Sequence, residues 1–182
     1  MKPPFVAGKT INLRPLEESD VNGPYAHWLN NPEVCRFNSH ARFPTPPTDL
    51  LKYIKSSKVN SSLLVFAICH KRTGRHLGNI SLQNINYIDR SAEIAVIIGE
   101  KRYWHKGIGS EAWGLVLQYG FKVLNLHRLY CGLAAGNTAM LKLAQKFSMK
   151  LEGRRRQAFF KNGQYDDILE FGILKDEHAP KS

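Results

Sequence analysis

Apolar and polar positions along this chain follow two different periods, and the switches between them mark out its elements. Thr10–Arg14 is a short apolar run of strand length, closed by Pro15. In the polar stretch Glu17–Asp20, Ser19 or Asp20 is suited to cap a helix reaching about Asn30. Tyr25, Trp28 and Leu29 fall on one face of that helix, and Pro32 lies beyond its end. After the turn-rich connector Phe43–Pro47, Thr48 or Asp49 is placed to cap a second helix, whose apolar surface is Leu51, Tyr53 and Ile54. Leu63–Cys69 is an unbroken apolar run, Lys71–Arg75 a hairpin turn, and His76–Asn84 the returning strand. A further strand spans Ser91–Ile98.

The period then lengthens. Ile108, Ala112, Leu115, Tyr119 and Val123 recur at three- and four-residue spacing and predict one face of a long helix. His127–Leu133 follows as a buried strand. Gly136-Asn137 opens another helix, with Met140, Leu143, Ala144 and Phe147 on a common face. Arg154–Phe160 and Tyr165–Leu174 flank Asn162-Gly163, a two-residue hairpin signal. The order β-α-α-β-β-β-α-β-α-β-β, without repeats or low-complexity linkers, predicts a single α+β domain over residues 1–182. Its sheet should be mixed and mostly antiparallel, with about seven strands and helices on both faces.

The segment with most chemical content is Tyr103–Ala112, where Gly107 and Gly109 open a helix directly after an apolar strand. The first amides of a helix lack intrahelical partners, and the helix dipole favours negative charge over them. Glycine allows a phosphate to approach the main chain, where a Cβ would hold it off. The segment therefore reads as a phosphate cradle; the alternative is that both glycines merely permit close helix–strand packing.

Composition narrows the ligand. The chain has 182 residues, 43% hydrophobic and 10% aromatic, which suits one globular domain with a real core. Cys35, Cys69 and Cys131 lie far apart without a Cys-x-x-Cys pair, so neither a metal site nor a disulfide framework is indicated. No signal-like apolar stretch and no run of membrane-span length is visible, so a soluble cytoplasmic protein without membrane contact is expected. The formal charge of +11 favours anionic ligands. Nucleic acid is disfavoured as a partner: the basic residues are scattered, only Arg154–Arg156 forms a tight cluster, and no nucleic-acid-binding motif accompanies them.

Five segments in this order resemble the GNAT superfamily of acetyl-CoA-dependent N-acetyltransferases, and within it the RimJ/RimL-like branch. They are LRPLEESD (Leu13–Asp20), WLNNPEV (Trp28–Val34), AEIAVIIGEKRYWHKGIGSEA (Ala92–Ala112), NLHRLYCGLAAGN (Asn125–Asn137) and LEGRRRQAFFKNGQYDD (Leu151–Asp167). The phosphate loop lies between the fourth predicted strand and the third predicted helix, as the family has it. Two positions depart from the family pattern. Trp104 replaces the usual basic or glutamine residue, which is familiar in the RimJ/RimL-like branch, and His105 stands where that branch usually has glycine.

The resemblance implies acetyl-CoA as co-substrate, with about four negative charges that answer the basic composition. It implies that amides of Trp104, His105, Lys106, Gly107, Ile108, Gly109 and Ser110 hold the pyrophosphate, with Lys106 adding charge. The strand through Val96, Ile97 and Ile98 would pair with the pantetheine arm as with another peptide, and one of its N–H groups would meet the thioester oxygen. Asn137 matches a cofactor-contacting asparagine, and is equally suited to cap its helix. An alkyl ammonium must lose a proton before attacking the thioester, and Glu93 is the candidate base. The alternative for Glu93 is a strand-end glutamate paired with Arg90 or Arg75. The family's usual acid, a tyrosine in the helix after the fifth strand, is Ala144 here, and Met140 stands where some members have serine. Tyr165 is a weak substitute, and a thiolate leaves tolerably without an acid.

The acceptor pocket implied by the resemblance draws on Trp28, Arg36, Asn38, His40 and Phe160. Arg36 and His40 point to a small anionic amine such as a nucleotide-linked amino sugar, and the positive charge argues against polyamines. Two alternatives stand beside it: a protein N-terminal acetyltransferase of ribosomal type, and a non-catalytic coenzyme A-binding or RNA-associated module. A homodimer is the expected assembly, since members of the branch often dimerise.

Overall fold

Alternate positions along the strands decide which side of the sheet each helix covers. In the computed structural model, which describes residues 4–178, eight strands form one sheet. They are β1 (Val6–Ala7), β2 (Ile11–Pro15), β3 (Leu64–His70), β4 (His76–Asn86), β5 (Ser91–Ile98), β6 (Arg128–Ala134), β7 (Lys150–Lys161) and β8 (Gln164–Leu174), in spatial order β1-β2-β3-β4-β5-β6-β8-β7. Four α-helices accompany them: α1 (Tyr25–Leu29), α2 (Pro47–Ser57), α3 (Ile108–Lys122) and α4 (Thr138–Lys146). One set of strand residues, including Leu82, Ile94, Leu129, Cys131 and Phe171, meets α3 and α4 in the larger core. The other set, with Val65, Ala67 and Cys69, meets α1 and α2 in a smaller one.

Every neighbouring strand pair is antiparallel except β5 and β6. That parallel pair keeps register only over Ser91↔Arg128, Ala92↔Leu129 and Glu93↔Tyr130. Both strands continue, β5 to Ile98 and β6 to Ala134, but they no longer pair. A wedge opens between their C-terminal halves, and α3 and α4 follow those two ends.

Several elements differ from the pattern-based expectation. The sheet has eight strands where about seven were predicted, because the two-residue β1 is too short to show a period. The strand before the glycine loop is therefore the fifth. The predicted first helix is split into a 3-10 turn (Glu18–Asn22) and α1, since Gly23-Pro24 interrupts the amide ladder. Asp20 does not cap a long helix. It accepts from the Glu17 amide at 2.8 Å and pairs with both terminal nitrogens of Arg14 at 2.8 and 2.6 Å. Helix α2 begins two or three residues earlier than expected, at Pro47 behind an N-cap at Pro46, and the fixed φ of proline suits a first helical position. Of the predicted α3 stripe, Ile108 and Ala112 are buried, Leu115 and Tyr119 half-buried, and Val123 is exposed past the helix end, while Trp113, Val116, Leu117 and Phe121 complete the buried face, so the true stripe is rotated from the predicted one. Asn162 and Gly163 both take positive φ, 52° and 77°, as the β7–β8 hairpin turn requires.

The end of β5 is held from behind. Trp28 of α1 is buried and lies against the backbone of Gly99, where an added Cβ would sit 1.9 Å from the indole. The ring is also edge-on to buried His76, with centroids 5.0 Å apart. Gly99→Ala is expected to cost about 1–3 kcal/mol by overpacking, lowering Tm by roughly 5 °C. Thermal unfolding measures this, and an unchanged Tm would contradict the contact.

Candidate functional site

The wedge widens into a cleft of about 600 Å³. Its walls are the end of β5 (Val96–Ile98), the turn Tyr103–His105, the start of α3 (Gly107–Ser110), one side of α4 from Asn137 to Lys146, and the loop Glu33–Asn38. Loop geometry follows from three local causes. The Trp104 indole N–H donates to the Ile98 carbonyl at 2.7 Å, folding the turn back onto β5. His105 and Gly107 take positive φ, 59° and 79°. Gly107 then stands at the N-cap of α3 with no side chain capping the helix, so the first-turn amides of Ile108, Gly109 and Ser110 are left pointing outward.

The glycines are not explained by packing. A Cβ on Gly107 would meet nothing within 4 Å, and one on Gly109 would only come 3.7 Å from Ile98 Cγ1, an ordinary contact. The space over Gly109 belongs to the cleft, which favours the phosphate cradle over the packing explanation. Gly107 serves its left-handed backbone. His105 meets the same demand without being glycine, at a strain of about 1–2 kcal/mol.

Two lysines that pattern reading passed over complete the cradle. Lys142 and Lys146 line the cleft from α4, and Lys146 Nζ donates to Ser110 Oγ at 2.6 Å. Their four-residue spacing on the helix after Asn137 was the available signal. Asn137 caps its helix as foreseen, Oδ1 accepting from the Met140 amide at 3.2 Å, and it also lines the cleft. Two helix N-termini, of α3 and α4, thus open onto one volume, an arrangement suited to a polyanion.

Glu93 occupies the last paired position of β5 before the wedge. The Asn84 amide donates to Glu93 Oε2 at 3.1 Å. The ion pairs weighed as its alternative do not form: Arg90 donates to Asn125, and Arg75 pairs with Glu100 at 2.8 Å. Beside it, burial, then Glu93 and Glu170, push the Cys131 thiol up to about 12, so it is no nucleophile at neutral pH.

Other expected site residues stand elsewhere. Arg36, Phe37 and Asn38 do line the cleft. Trp28 does not: it is 4% exposed and supports β5 from beneath. His40 lies past the lining part of its loop. Phe160 and Tyr165 are exposed at the hairpin, in a tilted ring pair with centroids 4.8 Å apart, and neither lines the cleft, so Tyr165 is not placed to protonate a leaving group there. Lys106 lies over the Tyr103 ring at 5.6 Å and does not line the cleft through its side chain. Within the arginine cluster, Arg154 pairs with Asp167, and Arg155 with Glu170 at 2.7 Å. Ala144 is fully buried and Met140 half-buried, so neither expected acid position carries a hydroxyl.

Known proteins agree with this geometry. The family model of the acetyltransferase (GNAT) domain matches residues 10–150. Spermidine N(1)-acetyltransferase of Escherichia coli K12 is 31% identical over 172 residues, 93% of this chain and 88% of that protein. The crystal structure of spermidine N-acetyltransferase from Vibrio cholerae in complex with CoA and spermine superposes with a TM-score of 0.86 at 26% identity. It covers 93% of this chain and 98% of the other. A dodecameric structure of the Vibrio cholerae enzyme gives a TM-score of 0.80 at 28% identity, over 95% and 98% of the two chains. The residues here fit coenzyme A: outward amides and α4 lysines for phosphates, and an unpaired strand end for pantetheine amides. Among the described residues there is no metal-binding group of three or more His, Cys, Asp or Glu, and no helix long and apolar enough to cross a membrane.

Gly109→Leu is expected to weaken coenzyme A binding at least about tenfold by filling the cradle, with Tm nearly unchanged because no protein atom is crowded. Calorimetric titration measures the affinity, and an unchanged Kd would overturn the cradle. His105→Gly should raise stability by about 1 kcal/mol through relief of its left-handed backbone; chemical denaturation showing a loss would contradict that strain.

Proposed function

The chain belongs to the GNAT acetyltransferase family and is an acetyl-CoA-dependent N-acetyltransferase; from that premise we propose that its acceptor is a primary amine of a polyamine of the spermidine class. The observation that carries the acceptor is the likeness to spermidine acetyltransferases along 93% of the chain. This replaces the anionic amine expected from net charge. Net charge is a bulk quantity: the +11 is what remains when 15 carboxylates are set against 26 cations, and it does not say which charges face an acceptor. On the sheet face that α3 leaves uncovered, strand alternation places Glu93 beside Tyr130, a surface suited to an ammonium, with Glu170 next to them engaged by Arg155. We further propose the RimJ/RimL-like branch, on the five segments that carry the resemblance and on Trp104 at the start of the glycine loop.

The chemistry follows from the chain's own groups. Bound acetyl-CoA supplies an activated acyl carbon. The α3 amides and the lysines of α4 fix its phosphates, and the unpaired edge of β5 aligns its arm. An N–H from that edge is available to the thioester oxygen as charge builds there. The acceptor arrives as an ammonium, and Glu93 takes its proton, directly or through one water, so that the nitrogen lone pair attacks the acyl carbon. The thiolate then leaves, and the nitrogen, cationic after attack, releases its second proton to solvent to give the amide. With alanine at position 144, the thiolate is protonated by solvent and needs no dedicated acid.

Thiol release measured over a panel of amines tests the acceptor. Spermidine and spermine should be turned over and nucleotide-linked amino sugars poorly; turnover of the anionic amines alone would overturn the reading. Cleft-lining Arg36, which lies over the Phe37 ring at 5.2 Å, makes that arm worth including. Glu93→Gln should lower kcat/KM about 10²–10⁴-fold, and an unchanged value across pH would remove Glu93 as the base.

A further inference from the structure

The loop that walls the acceptor side of the cleft is fastened to the β7–β8 hairpin by two cations reaching in opposite directions. Lys161, the last residue of β7, sends its ammonium into the loop. There it donates to the carbonyl oxygens of Cys35, Asn38 (2.7 Å) and His40 (2.6 Å), more than 120 positions away in sequence. An ammonium has three N–H donors, and all three have an acceptor here. In return, Arg42 donates to the Phe160 carbonyl at 2.9 Å and lays its guanidinium over the Phe159 ring at 5.1 Å.

Between the carbonyls that Lys161 gathers lie Arg36, Phe37 and Asn38, the loop residues facing the cleft. The hairpin also holds the opposite wall. Asp166 of β8 accepts from the Gly136 amide at 2.8 Å, just ahead of Asn137, and Phe37 Cε1 comes within 3.4 Å of where a Gly136 Cβ would stand. One hairpin thus ties the Cys35–His40 loop and the β6–α4 turn together, and Lys161 makes the longest-range of these ties.

We propose that Lys161 is a positioning residue for the acceptor. Held by the three carbonyls, its ammonium fixes the Arg36–Asn38 wall against the β6–α4 turn and so sets the width and selectivity of the acceptor side, without touching the cofactor. The role of the wall rests on the acetyltransferase reading above, and on the acceptor entering beside this loop. Surface ion pairs along the hairpin do not share the role, because Arg154 and Arg155 pair within the sheet and reach no cleft-lining segment.

The test is Lys161→Met, which keeps the stem and removes the donors. KM for spermidine should rise about tenfold, the scale of losing hydrogen bonds made by a charged group. The kcat, the KM for acetyl-CoA and the calorimetric Kd for coenzyme A should stay within about twofold. Amide hydrogen exchange over residues 34–41 should quicken, while that of the residue 104–110 loop should not. Lys161→Cys alkylated with 2-bromoethylamine restores an ammonium at nearly lysine length, feasible because the three native cysteines are buried. It should recover both the KM and the slow exchange. If Lys161→Met does not fold, Lys161→Arg keeps the charge but cannot converge on three carbonyls, and it should show the same KM split. An unchanged amine KM with unchanged loop exchange, a parallel loss of coenzyme A affinity, or no recovery on aminoethylation would each overturn the proposal. Absence of spermidine turnover by the wild type would instead count against the acceptor reading, and the exchange and coenzyme A measurements would still decide the role of Lys161.

Discussion

The pairing of β5 with β6 stops after Glu93↔Tyr130, and the rest of the site depends on that stop. Buried or half-buried backbone groups need hydrogen-bond partners, and the β6-facing edge of Ile94–Ile98 has none from the sheet. The fold meets the need at one end only, where the Trp104 indole takes the Ile98 carbonyl. The rest of that edge suits a ligand with peptide-like amides. The same splay sends α3 and α4 away from the C-terminal ends of two parallel strands, where helix N-termini converge on one volume and where open sheets commonly hold ligands. The outward amides of α3 and the unpaired edge of β5 therefore face one volume as two consequences of one interruption.

Around that interruption the chain spends conformational strain and close packing. His105 accepts a left-handed backbone, Gly107 supplies another, and Gly109 leaves its side-chain space to the cleft. Behind β5, the Trp28–Gly99 contact leaves no room for a methyl group, which steadies the strand from the side away from α3. On the acceptor side the constraints are polar: the Lys161 and Arg42 clasp and the Asp166–Gly136 bond join segments far apart in sequence. The donor half of the cleft is thus shaped by local backbone geometry, and the acceptor half by long-range ties.

That division explains what could be read from the sequence. The donor loop was legible because its signals are local: glycines after an apolar run, then a helical period, with Asn137 opening the next helix. The long strands and the Asn162-Gly163 turn were legible for the same reason. Trp28 was misread as a pocket residue because burial under Gly99 depends on a contact 71 positions away, and Lys161 went unnoticed because nothing near it in sequence announces three carbonyl acceptors. Net charge pointed to an anionic acceptor because it is a sum over the whole chain and carries no information on where an acidic side chain such as Glu93 stands. The α3 stripe was displaced because apolar residues occupy more than one side of that helix, and only the sheet decides which side is buried.

Amide chemical shifts of the labelled protein during titration with coenzyme A test the central claim most directly. The wedge account predicts the largest changes at Val96–Ile98 and Trp104–Ser110, with a second group at the start of α4 around Asn137. Shifts confined to other surfaces, with these amides unmoved at saturation, would contradict it.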